Sequence, residues 1–162
     1  RFRNVTGVQT CALPILIHLL CKIVSRGGNL LLNVAPSPLG DFDDEAYSRL
    51  KGIGEWMSVN NQCIYATKPV APYESGKMVF TQSNGKAKAT YAIYLMDDKE
   101  KLPSEIIFPA SLISQKIKSV SLLGTNLKLK TNVIKDGSFV LQIPESAKDL
   151  NINYAAVFKL EM

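Results

Sequence analysis

Asp41, Asp43, Asp44 and Glu45 put four carboxylates into five residues, a group that could move a proton or hold a cation. The same four open a helical pattern, DDEAYSRLKGIGEWMSVN, where acidic side chains complement the helix dipole and cap free N–H groups. That reading accounts for them without chemistry. Asn33 closes an apolar run, Asn29 to Val34, where it can hydrogen-bond a ligand hydroxyl or a catalytic neighbour, or tie down the Pro36 to Gly40 loop. His18 lies on a preceding helical pattern and reads as a packed or capping histidine. Cys21 and Cys63 are too few for a disulfide framework or a metal spacing and read as small buried fillers.

Which elements position these residues follows from periodicity. Leu16, Leu19, Leu20 and Ile23 recur at helical spacing, widened by Ile17 and Val24, and Gly27-Gly28 ends the helix in the left-handed conformation. Leu30, Leu31 and Leu32 are apolar without alternation, which predicts a parallel strand covered on both faces over Asn29 to Val34. The next helix presents Tyr47, Leu50, Ile53 and Met57 as its buried stripe, with Trp56 packed beside it.

Beyond Thr67 the texture changes to short alternating segments separated by turns, which marks a boundary near Pro69 to Gly76. Met78 and Phe80 share one face, and Ala89, Tyr91, Ile93 and Leu95 another after a Ser83-Asn84-Gly85 turn. Ile106 to Phe108 and Lys118 to Leu123 are predicted strands. Leu127, Leu129 and Val133 alternate with polar residues, Asp136-Gly137 turns the chain into Phe139, Leu141 and Ile143, and Ile152 to Leu160 forms a long last strand. About seven strands at this spacing predict an antiparallel β-sandwich. The fold class is α/β followed by all-β.

The chain has 162 residues, is 46% hydrophobic and carries a net charge of +5, enough for one or two small domains. Lys and Arg alternate with apolar residues instead of clustering, so the charge describes solvated strand faces and no nucleic-acid partner. No apolar run reaches the length of a membrane span. Val5 to Ile15, VTGVQTCALPI, matches codon by codon the translation of a common sequencing-library adapter, so residues 1–15 are set aside as a scar. With them go Cys11 and the Asn4-Val5-Thr6 sequon.

The stretch from Leu16 to Pro69, with SRGGNLLLNVAP at Ser25 to Pro36 and the DDEAYSRLKGIGEWMSVN segment after it, resembles the end of the catalytic domain of the α-L-fucosidases, glycoside hydrolase family 29. The resemblance implies that residues 16–69 are the last helix, strand and helix of a (β/α)8-type barrel, and residues 70–162 a C-terminal β-sandwich. At the C-terminal end of a barrel strand, Asn33 would then be a substrate-binding residue. The implied activity is hydrolysis of terminal α-L-fucose from fucosylated glycans, with retention and without a cofactor or metal. The implied compartment is secreted, periplasmic or lysosomal.

A retaining mechanism needs two carboxyl groups about 5 Å apart. In the family these are an Asp and a Glu on earlier barrel segments, and an aromatic-Gly-Tyr stretch lines the fucose pocket. This chain contains neither, so the chain by itself is expected to be inactive and to need the missing N-terminal part of its own barrel. Residues 16–68 are expected to fold poorly alone, and proteolysis to leave a core beginning near Val70. The alternative function is a carbohydrate-binding or interaction sandwich. Tyr91 and Tyr154 fall on faces assigned to the core, which favours a structural sandwich over a sugar-stacking one.

Overall fold

A computed structural model describes residues 12–85, 89–112, 117–134 and 137–162. Helix α1 (Leu13–Ser25) and helix α2 (Asp44–Asn60) come first, and a 3-10 turn, Asn61–Cys63, continues α2. Among the described residues eight strands follow: β1 (Thr67–Ser75), β2 (Met78–Ser83), β3 (Ala89–Leu95), β4 (Glu105–Phe108), β5 (Ser119–Leu122), β6 (Lys128–Val133), β7 (Phe139–Gln142) and β8 (Ala155–Glu161). One helical turn, α3 (Glu145–Lys148), separates the last two. Every pairing is antiparallel, and the order is β1-β2-β3-β8-β5-β6-β7-β4. The sheet curls, so the 3-10 turn Ala110–Leu112 after β4 packs against β1 at the opposite edge. This is the expected antiparallel sandwich, with eight strands in place of about seven.

Strand alternation divides the apolar residues between two cores. In β8, Ala156, Phe158 and Leu160 point into the curl, while Ala155 and Val157 point outward under the helices. The inner core stacks Phe108 on Phe139 at 4.5 Å, with Phe158 edge-on at 6.5 Å. The outer core joins Ile17 and Cys21 of α1 to Trp56, Cys63, Val79, Tyr91 and Ile93. Each large side chain so buried contributes about 1.5–3 kcal/mol. The helices are therefore one layer of the sandwich, and trimming to a core near Val70 would strip the outer core from its sheet.

Several expectations are corrected. Asn29 to Val34 is not a strand: it runs extended, and no backbone hydrogen bond is made by Asn29 to Ala35 among the described residues. Leu31 is 85% exposed. A parallel strand exists only between neighbours that satisfy its N–H and C=O groups, and the described residues offer none. The barrel part of the predicted fold class is accordingly not seen.

In α1 the buried positions are Leu16, Ile17, Cys21 and Ser25, with Leu19 exposed. In α2 they are Ala46, Gly52, Trp56 and Asn60, one position off the predicted stripe, and Tyr47 is exposed. The offset has a cause. Gly52 is where Leu13 comes close: a Cβ there would meet Leu13 Cδ2 at 2.2 Å, so a residue that apolar counting skips faces the neighbouring helix. Val133 pairs with Phe139 yet is exposed, and β8 begins at Ala155 instead of Ile152 because Tyr154 turns into the left-handed region at φ +68°. Of the Asp136-Gly137 turn, Asp136 lies outside the described residues, and Gly137 has φ +82°.

The end of α1 follows the sequence. Gly27 N–H donates to Val24 O at 2.9 Å and Gly28 N–H to Ile23 O at 3.0 Å, a Schellman ending with Gly27 at φ +83°. A Cβ at Gly27 would also meet Pro69 Cγ at 2.9 Å. Gly27→Ala is expected to destabilise the chain by about 1–2 kcal/mol, read as a lower urea midpoint with an unchanged slope. An unchanged midpoint would show that this contact constrains nothing.

Candidate functional site

The extended segment leads into a tightly folded loop. Ser37 N–H donates to Asp41 O at 2.6 Å, and Asp43 caps α2 by accepting from Ala46 N–H at 2.7 Å. Asp41 accepts from Tyr47 Oη at 2.5 Å and from Phe42 N–H at 2.8 Å. The Tyr47 hydroxyl, and then the Phe42 amide, hold the Asp41 carboxyl below its ordinary range, and the same bond pushes the Tyr47 phenol up. Asp41 is thus a fixed acceptor, a poor general acid. Asn33 is exposed on the segment before this loop, and the structure brings no second predicted site residue to it.

A second charged group has no signature in the sequence, because its members come from separate positions along the chain. Lys77 Nζ lies 2.5 Å from Asp97 Oδ2 and 2.8 Å from Glu100 Oε2, and Tyr94 Oη donates to Glu100 Oε1 at 3.1 Å. Lys77 holds Asp97 below its ordinary value and is itself raised by the two carboxylates, Asp97 foremost. Burial alone would raise Glu100, but Lys77, the Asp97 amide and Tyr94 outweigh it. Glu161 is lowered by Lys159 and then Ser119. Among the described residues every carboxyl group with a displaced ionisation is displaced downward, whereas a glycosidase general acid must be displaced upward.

The sign of these shifts fixes an acid limit. A carboxyl lowered in the fold contributes stability that is complete above its unfolded value and is lost as pH falls through the folded one. The melting temperature is expected to hold from neutrality to about pH 5 and to fall below about pH 4. Lys77→Met should flatten that fall, because Asp97 and Glu100 lose the cation that lowers them. A fall as steep in the variant as in the parent would discard this cluster as its source.

The remaining predicted residues are structural. His18 Nε2–H donates to Tyr154 O at 2.8 Å, Trp56 Nε1–H to Ala155 O at 3.0 Å, and Asn60 Nδ2–H to Trp56 O at 3.0 Å. Cys21 and Cys63 are buried free thiols, and burial pushes Cys21 up to about 12 and Cys63 well above its ordinary value. Such thiols are inert at neutral pH. No cluster of three or more His, Cys, Asp or Glu among the described residues could hold a metal. No helix among them is long and apolar enough to cross a membrane.

The helical layer and the sheet enclose a cleft of about 280 Å³ bounded by α2, the Leu122 to Thr125 turn and Leu150 to Val157. Sixteen residues line a neighbouring hollow of about 340 Å³, and the Leu150 to Tyr154 segment forms the wall between the two.

The fold is shared with solved α-L-fucosidases. The chain superposes on α-L-fucosidase isoenzyme 1 from Paenibacillus thiaminolyticus with a TM-score of 0.76 at 21% identity, covering 93% of this chain and 34% of that one. Thermotoga maritima α-fucosidase, solved with a mechanism-based inhibitor, gives 0.76 at 24%, covering 94% and 34%. In sequence, residues 4–62 match the Alpha-L-fucosidase family model, a match that runs into the segment read as adapter. Tissue alpha-L-fucosidase of Bos taurus is 34% identical over 149 residues, covering 90% of this chain and 30% of its own length. The human tissue enzyme is 28% identical over 130 residues. The chain belongs to the α-L-fucosidases and matches their C-terminal part, spanning about a third of the length of these relatives.

Proposed function

We propose that the chain is the C-terminal part of a retaining α-L-fucosidase releasing terminal α-L-fucose from glycans, and that the catalytic Asp and Glu belong to the preceding barrel. The observation that carries this is the match to only the last third of the bovine enzyme. Two features support it. The displaced carboxyl groups all favour the ionised form, and Asn29 to Val34 is an apolar, extended segment whose backbone is free to pair with parallel neighbours.

Asn33 would face the sugar once this segment joins the barrel as its last strand, and residues 1–15 would be adapter-derived, the codon-by-codon agreement of Val5 to Ile15 being the support. A secreted, periplasmic or lysosomal location goes with the family. The purified chain is expected to leave an aryl α-L-fucoside intact, with release no faster than in buffer. Enzyme-level release that co-purifies with the chain would overturn the assignment of the catalytic pair to the missing barrel.

A further inference from the structure

Tyr154 departs from the pattern of its own strand. Alternation from Ile152 to Leu160 would continue β8 through it, yet its backbone sits at φ +68°, a conformation that a tyrosine adopts only when its surroundings impose it. They do so twice over, because its carbonyl accepts from Met96 N–H at 2.9 Å and from His18 Nε2–H at 2.8 Å. The reversal lifts Leu150 to Tyr154 out of the sheet and opens the cleft against α2.

The lining of that cleft is amphipathic. Val59 is 44% and Leu150 39% exposed, Leu123 and Tyr154 are half-buried, and the buried Trp56 also lines the cleft, with its N–H already committed to Ala155. The side-chain amides of Asn151 and Asn153 stand on the rim without partners among the described residues. Apolar walls, an aromatic side chain and free amides on one rim match a pyranose, which has an apolar ring face and a girdle of hydroxyls.

We propose that this cleft binds one pyranose residue of a glycan chain, at a site separate from Asn33 and the Pro36 to Asp43 loop. It deepens the fucosidase reading by giving the sandwich a hold on the glycan, and it rests on that reading for the substrate class alone.

The test uses the whole chain, titrated with methyl α-L-fucopyranoside while amide resonances are followed, with mannitol as a hydroxyl-bearing control without a ring. Saturable shifts confined to residues of α2, Leu123 to Thr125 and Leu150 to Val157 are expected with the fucoside and absent with mannitol. Val59→Lys, at an exposed rim position, and Asn153→Ala should each weaken binding about tenfold, the scale of one lost contact, with the melting temperature unchanged. No saturable shift, equal shifts with mannitol, or shifts confined to the Asn29 to Asp43 region would each overturn the proposal. Failure of the fucosidase reading shows elsewhere, in the activity of the reassembled barrel.

Discussion

Mixed with the upstream two thirds of a relative such as bovine tissue α-L-fucosidase, ending before the residue that matches Leu16, this chain is expected to restore hydrolysis that neither piece shows alone. The recovered rate should exceed the uncatalysed one by at least about a millionfold, since the assembled carboxyl pair supplies ordinary enzymatic acceleration. Asn29 to Val34 is the reason to expect assembly. Its backbone groups are unpaired, Leu31 is exposed with Leu30 and Leu32 half-buried, and a barrel open at one position would offer parallel edges and helices for both. Leu31→Asp, at the exposed leucine of this segment, should prevent recovery, because an unpaired carboxylate would be buried on closure. Asn33→Ala distinguishes the two readings of that residue. A sugar contact predicts a fall in kcat/KM of roughly ten- to a hundredfold with assembly intact, and a loop tie predicts weaker assembly with kinetics preserved in what forms. Co-elution of the two pieces without hydrolysis would defeat the proposal that the barrel is all this chain lacks.

That same segment shows where sequence reasoning reaches and where it stops. Helix ends depend on residues adjacent in the chain, so Gly27-Gly28 and the Asp43 cap appear in the structure as read. The strand faces of Met78, Phe80, Tyr91 and Ile93 also depend only on a period of two, and they separate into the inner and outer cores as expected. Asn29 to Val34 carries the composition of a buried strand, but a strand is a relation between segments, and no described segment pairs with it.

The α2 stripe moved by one position because burial there is set by Leu13 of α1 closing on Gly52, which no apolar period records. The cleft was invisible for a related reason. Its walls come from residues near 52–60, 122–125 and 150–157, and the bond that fixes its strained wall joins His18 to Tyr154 across 136 positions. The only local hint was a tyrosine in an alternating run, which reads as core.

Trp56→Ala should be the most damaging single change to the fold, lowering stability by about 3–5 kcal/mol. Trp56 is 6% exposed at the centre of the outer core, between Ile17 and Cys21 of α1 and the outward faces of β3 and β8. Its removal strips the largest shared side chain from the layer and leaves the Ala155 carbonyl without the indole donor. The loss should be unequal across the molecule. The inner core around Phe108, Phe139 and Phe158 has its own contacts on the other face of the sheet, so amides of β4, β6 and β7 should retain much of their exchange protection while those of α1 and α2 lose most of theirs. Trp56→Phe keeps the aromatic bulk and loses only the hydrogen bond, for a cost nearer about 1 kcal/mol. Since Trp56 is the only tryptophan, circular dichroism and hydrogen exchange must report the alanine variant. Protection lost equally in both layers would mean that the helices and the curled sheet unfold as one cooperative unit, with the outer core integral to the sandwich; protection unchanged in α1 would mean that the helix is held by its ends, through Lys22 and Arg26 to Glu74 and His18 to Tyr154, more than by the face it buries.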